Sequence, residues 1–297
     1  MSVNTQVGSV TGLWRFPVKS MRGERLDEAH VTEQGLVGDR AYALIDNDNG
    51  KVVSAKSVRR FPDLLACRAA FVQPPGADED LPPVEITLPD GSTVRSDASD
   101  VSGVLSTFFH RDVTLARAAP DDFTIDQYHP DIEDVDPAGH RDTVVEQKLG
   151  AAFFAEAGIP SPVPVGSFFD LFPVSVLTTS TLEQLSELQP QSRFDERRFR
   201  MNVIIDSEEA GFVENDWVSR QLAIGDAVRL SVALPDPRCV MTTLAQEELP
   251  KDSDVLRTLT RYNRVEVAGA GRFPCAGVYA VVNAAGKLRA GDDVALI

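Results

Sequence analysis

Cysteine is scarce in this chain. Its 297 residues hold three, Cys67, Cys239 and Cys275. An odd, sparse count with no C-x-x-C pair excludes a disulfide framework, a thiolate zinc site and an iron–sulfur site. It suits a reducing compartment, and the chain reads as cytoplasmic. Cations are also in short supply: 29 Lys and Arg stand against 45 Asp and Glu, a net charge of −16. Nucleic-acid binding needs clustered cations to replace phosphate counterions, so no nucleic-acid partner is expected. No apolar run approaches the ~20 residues of a membrane span. Met1–Val10 lacks the cationic stretch and apolar run of a leader. There is no Walker loop, and Gly269-Ala270-Gly271 lacks the third glycine of a dinucleotide fingerprint. Asp46-Asn47-Asp48-Asn49-Gly50 has its glycine one place early for a calcium loop and reads as a hairpin turn. Of the four histidines, His129 and His140 flank an acidic segment at no known ligand spacing, and no metal is expected there.

What the chain does contain is short apolar runs separated by turn residues. Val7–Phe16, Ala41–Ile45, Lys51–Ser54, Leu65–Val72, Val113–Ala116, Phe172–Leu177, Met201–Ile205, Gln221–Ile224, Ala227–Ala233, Gly277–Val282 and Asp292–Ile297 read as strands. Val84–Leu88 and Thr93–Arg95 flank a Pro-Asp-Gly-Ser turn. Helical spacing marks Asp100–Phe109, with Asp97, Ser99 or Asp100 as its cap, and Ser253–Tyr262. Thr178–Leu188 has the same spacing, with Ser180 and Glu183 at capping-box distance, and Val144–Gly158 is weakly helical. Pro120–Arg141 is acidic and aperiodic and reads as a long loop or connection. Asn283–Gly291 reads as a loop between the last two strands. The pattern predicts a strand-dominated α+β fold with barrel-like sheets.

One cysteine sits among residues suited to chemistry, in Pro237-Arg238-Cys239-Val240-Met241-Thr242-Thr243. A neighbouring cation favours the thiolate, the form that ligates metals and attacks sulfur. Lys19, Arg40 and Arg200 fall at the ends of predicted strands. If they converge, they make a site for a phosphorylated ligand, since guanidinium pairs bidentately with phosphate.

Taken in order, these segments resemble the MOSC family, named after the C-terminal part of molybdenum cofactor sulfurase. Phe16-Pro17-Val18-Lys19-Ser20 and Gly35-Leu36-Val37-Gly38-Asp39-Arg40 resemble the β-barrel domain that precedes MOSC in two-domain members. Phe199-Arg200-Met201-Asn202, Glu214-Asn215-Asp216-Trp217, Ile224-Gly225-Asp226, Arg238-Cys239 and Gly291-Asp292 resemble the MOSC domain. The resemblance is strongest to the amidoxime-reducing branch and its bacterial counterparts. It implies an N-terminal β-barrel domain over residues 1–118, an acidic connection over 119–142, and a MOSC β-barrel with peripheral helices over 143–297.

By that resemblance the ligand is a molybdenum cofactor, a molybdopterin whose dithiolene binds molybdenum, and Cys239 is both metal ligand and catalytic residue. Lys19, Ser20, Arg40, Thr178, Arg200, Asn202 and Arg238 are implied to hold the pterin or its phosphate. The implied activity is an oxidoreductase reducing N-hydroxylated or N-oxide small molecules. Two alternatives are a sulfur or cofactor carrier using a Cys239 persulfide, and a cofactor-binding module without turnover. Full sulfurases carry a pyridoxal-phosphate aminotransferase domain, for which this chain has no room, so pyridoxal phosphate is not expected. Three cysteines cannot fill a four-cysteine cluster. Electrons are therefore expected from a separate ferredoxin, flavoprotein or cytochrome. Met201 stands where the family usually has proline, Asp236-Pro237 where others carry small polar residues, and the acidic connection matches poorly.

Overall fold

A computed structural model describes residues 4–297. Its centre is a closed barrel of seven strands. Around the barrel these run Val174–Thr178, Val203–Asp206, Thr5–Arg15, Asp293–Leu296, Gln221–Ile224, Val228–Pro237 and Arg272–Ala284. Val174–Ala280, Ser175–Tyr279 and Val176–Val278 pairings close the ring. All neighbours are antiparallel except Val174–Thr178 beside Val203–Asp206. The interior is packed with small branched side chains, among them Val10, Leu13, Val176, Ile205, Leu222, Val232 and Val278. The fold is the expected strand-dominated α+β class.

The first strand crosses the sequence division made above. Thr5–Arg15 lies between Val203–Asp206 and Asp293–Leu296, inside the C-terminal sheet. Glu28–Thr32 likewise pairs with Gly286–Arg289, a strand within the expected 283–291 loop. The rest of the N-terminal half builds its own core from Val18, Met21, Leu44, Phe61, Leu65, Ile86 and Leu105. Two small sheets cover it, Ala43–Asp46 with Val113–Ala116 and Arg68–Phe71 with Val84–Thr87 and Thr93–Arg95, together with helix α1, Val101–Phe109.

Several local expectations need correction. The acidic segment is not all loop: Thr124–His129 pairs with Thr143–Lys148 as a hairpin. The first half of the expected 144–158 helix is thus strand, and only Ala151–Glu156 (α2) is helical. Periodicity failed here because few apolar residues point inward; Ile125 is fully buried, whereas Val144 is 46% exposed. Lys51–Ser54 forms only an isolated bridge, Ile45 to Val52, after the Asp46–Gly50 turn. Helix α3, Thr179–Leu188, is capped by Thr178, whose hydroxyl accepts from Thr181 N, and not by a Ser180–Glu183 box. Helix α4 is Asp254–Tyr262, and Asp100 stands at the N-cap of α1 without making a side-chain cap bond.

Candidate active site

A cavity of about 490 Å³ opens where the barrel meets the N-terminal half. Lys19, Ser20, Arg40, Arg200, Asn202, Arg238 and Cys239 all line it. Short, unrelated elements deliver them. Lys19 and Ser20 follow the first strand, where Lys19 N bonds Tyr42 O at 2.8 Å. Arg40 N bonds Phe16 O at 2.9 Å. Arg200 comes from the turn between the 3₁₀ helix Glu196–Arg198 and Val203–Asp206. Arg238 and then Cys239 follow the strand Val228–Pro237. Ser20, Arg40 and Arg200 adopt left-handed backbone (φ 66°, 48° and 57°), costly for non-glycine residues and characteristic of functional sites.

Two of the cations share one aromatic ring. Arg200 and Arg40 lie 4.3 and 4.6 Å from the centre of the Phe16 ring. Arg40 pairs with Asp39 and donates to Arg200 O at 3.1 Å. Arg200 donates to Met21 O at 2.6 Å and has no carboxylate partner among the described residues. Burial, then the nearby Arg40 charge, pulls Arg200 down to about 9. A buried guanidinium beside other guanidiniums is a strong attractor for an anion. Arg238 pairs with Asp236 and donates to Phe199 O, leaving its buried Nε without a partner.

Cys239 is half-buried on the cavity wall, whereas Cys67 and Cys275 are fully buried and pushed up to about 12 by burial. The turn after Cys239 is pinned twice. Thr242 bonds Cys239 O through N and Oγ1, at 3.2 and 3.1 Å. The fully buried Arg198 donates to Thr242 O, Leu244 O and Pro250 O.

Two expected contact residues stand differently. Asn202 is 1% exposed, and its amide bonds Asp39, Trp14 O and Ser175, so it braces the Gly38-Asp39-Arg40 loop against the barrel. Thr178 lies outside the cavity lining; it is buried, bonds Glu214 at 2.7 Å and caps α3. Glu214 also accepts from Thr181 Oγ1 and Gly277 N, and burial raises its pKa. Both residues hold the barrel wall together.

The structure adds residues that the sequence did not single out. Asp170 pairs with Lys19 and, at 2.8 Å, with Lys56. Burial pushes the Asp170 carboxyl up, but the two ammonium groups outweigh it and hold the pKa well below the usual range. Burial lowers Lys56, but Asp170 and then Cys239 more than restore its charge. Tyr279 is half-buried beside Asp236 and stays a phenol, its pKa raised first by desolvation. No motif marks these positions; Tyr279 comes from the strand Arg272–Ala284, and Lys56 and Asp170 come from loops that only the tertiary fold brings to the cavity. Phe168, Phe169, Phe172 and Phe199 supply apolar wall.

Residues 7–122 match the MOSC N-terminal beta barrel domain, and residues 165–295 match the MOSC domain. The chain belongs to the MOSC family. Among relatives, this MOSC protein is 27% identical to the mitochondrial amidoxime-reducing component 1 of Mus musculus, covering 98% of this chain and 83% of that protein. It is 24% identical to the human component 1, covering 98% and 84%. It is 26% identical to the component 2 of Rattus norvegicus, covering 97% and 83%. No helix among the described residues is long and apolar enough to cross a membrane.

The donor set fits a phosphorylated, metal-bearing cofactor. A carboxylate-free buried cation, Arg200, and an unpartnered Nε on Arg238 call for an anion. Cys239 offers a soft sulfur ligand on the same wall.

Proposed function

We propose that this MOSC protein binds a molybdopterin-type molybdenum cofactor in the cavity and reduces N-hydroxylated or N-oxide small molecules. The observation that carries this reading is the convergence on one cavity of Cys239 with Lys19, Arg40, Arg200 and Arg238. The relatives named amidoxime-reducing components support the reductase reading over a carrier role. When bound, the cofactor supplies a two-electron centre able to take an oxygen atom from the substrate. The net change is R–NHOH plus two electrons and two protons to R–NH₂ and water, with the electrons from a separate donor protein.

The chain's own residues bind and orient. Arg40, Arg200 and Arg238 hold the anionic part, and Cys239 Sγ ligates the metal. Ser20 lines the pterin side, and Asn202 keeps the Arg40 loop in register. Lys19 and Lys56, bridged by the single carboxylate of Asp170, keep a net positive charge at the cavity wall. The phenylalanine wall excludes water, which strengthens each of these interactions.

The test is metal analysis of protein made in a host that produces the cofactor, followed by turnover of an amidoxime with an artificial reductant. Wild type carries one molybdenum per chain and consumes the amidoxime, and Cys239→Ala abolishes turnover. Wild type free of molybdenum overturns the cofactor reading. Molybdenum without amidoxime consumption overturns the reductase reading and leaves the persulfide carrier.

A further inference from the structure

The acidic segment holds a cluster that the proposed reaction does not use. His129 ends the strand Thr124–His129, Asp136 lies in the following turn, and His140 stands just before the return strand Thr143–Lys148. The hairpin brings together residues that linear spacing keeps apart. One ligand atom from each of the three lies within 4.8 Å of the others. Asp136 Oδ2 contacts His140 Nδ1 directly and lies 3.7 Å from His129 Nδ1, too far for a hydrogen bond. Nε2 of His129 faces Gln127 at 3.4 Å. Asp136 is held in place by the backbone N–H groups of Ala138 (3.2 Å) and His140 (3.1 Å). His129 is 4% exposed and, with Asp136, lines the cavity wall.

The linear spacing of these histidines matches no known ligand pattern; the hairpin is what brings them together. We propose that His129, Asp136 and His140 form a binding site for one zinc-class divalent cation on the cavity wall. Two imidazole nitrogens and one carboxylate are a donor set for zinc, which takes His nitrogen at ~2.0–2.1 Å and carboxylate oxygen at ~2.0–2.2 Å. The ion enters between Asp136 and His140, replacing their mutual contact, and gives His129 Nδ1 the partner it lacks. Three protein ligands leave a fourth position open toward the cavity. With the ion on Nδ1 the proton sits on Nε2, and a turn of the Gln127 amide, whose nitrogen faces Nε2 at 3.4 Å, lets its oxygen accept that proton and orient the ring. Burial lowers the His129 pKa, which keeps a lone pair available. The ion clamps the 130–140 segment onto the hairpin and so shapes one side of the cavity. This donor set is distinct from Cys239, a sulfur ligand on another element.

Titration of the chelator-treated full chain with Zn²⁺, by calorimetry, and with Co²⁺, by absorption, tests the site. Neither readout needs molybdenum or turnover, so the result is independent of the proposed reaction. One equivalent binds, and the Co²⁺ spectrum lacks a thiolate charge-transfer band. His140→Ala, at a half-exposed position, and Asp136→Asn each weaken binding by more than the roughly 10–100-fold cost of losing an outer-shell partner. Cys239→Ala binds as wild type does. Wild type that takes up no saturable equivalent overturns the proposal, and so does a thiolate band or a Zn²⁺ affinity that falls in Cys239→Ala. Binding that survives both His140→Ala and Asp136→Asn in folded protein, checked by circular dichroism, also overturns it.

Discussion

Asp170 shows how a single carboxylate organises one side of the cavity. It pairs with both Lys19 and Lys56, which otherwise would meet as buried like charges, and leaves the trio with a net positive charge. Its folded pKa lies below the ordinary value of about 3.9, so its contribution to stability is fully present above that value. That contribution is lost as pH falls through the carboxylate range toward the depressed native pKa. Removing one partner of a buried ion pair typically costs about 3 kcal/mol or more. Asp170→Asn should therefore be less stable than wild type by about that amount at pH 7, and the gap should begin to narrow below about pH 4. Urea unfolding from pH 7 to pH 3 measures this, and a gap independent of pH would refute the ion-pair account. Arg200 is the complementary case. It is a buried cation held in left-handed backbone with no internal counterion, an arrangement an anionic ligand would relieve.

The long strand Arg272–Ala284 carries a different constraint. Gly277 has φ +79°, donates its N–H to Glu214 at 3.0 Å, and has Met201 Cε and Val176 O pressed against it. A Cβ there would sit 2.2 Å from Met201 Cε and 2.5 Å from Val176 O. The methionine can turn aside, but the carbonyl belongs to the paired strand and cannot. Met201 is also the residue found where the family usually has proline, and its side chain fills the space over this glycine. Gly277→Ala combines left-handed strain of about 1–3 kcal/mol with overpacking of similar size. The expected result is a melting midpoint lower by ten degrees or so, from about 2–4 °C per kcal/mol. An unchanged midpoint would mean that the barrel closure at Val176–Val278 is looser than its register implies.

At the scale of the whole molecule, the first strand ties the two halves together. Thr5–Arg15 supplies hydrogen bonds to Val203–Asp206 on one side and to Asp293–Leu296 on the other. A fragment of residues 143–297 therefore lacks one of the seven barrel strands and exposes two unpaired strand edges, a known aggregation hazard. Expressed alone, it should show no cooperative thermal transition by circular dichroism. Restoring the strand by fusing residues 4–16 through a flexible linker should recover one. A fragment that melts cooperatively unaided would show that the barrel closes without its N-terminal strand. The net charge of −16 belongs to this scale too. It sets a repulsive background for anions, so the cavity cations must be paired or clustered closely enough to act locally.

Much of this was readable from residues alone. Short β-rich runs with turn punctuation determined the strand-dominated class, because side-chain alternation and turn chemistry are local properties. The Arg-Cys pair, Lys19, Arg40 and Arg200 were visible as cations and a thiol at strand ends. Their meeting was not, since it depends on which strands pair across nearly two hundred residues, as Thr5–Arg15 does with Val203–Asp206. Lys56, Asp170 and Tyr279 carried no motif, and the His129–Asp136–His140 cluster had no ligand spacing, because a hairpin and not a helix brings it together. Thr178 and Asn202 have the residue types of ligand-binding groups, yet their polar atoms are engaged by Glu214, Ser175 and Asp39. Composition and local pattern determined what could form; barrel closure decided which side chains face the cavity, because register, unlike propensity, is a long-range choice.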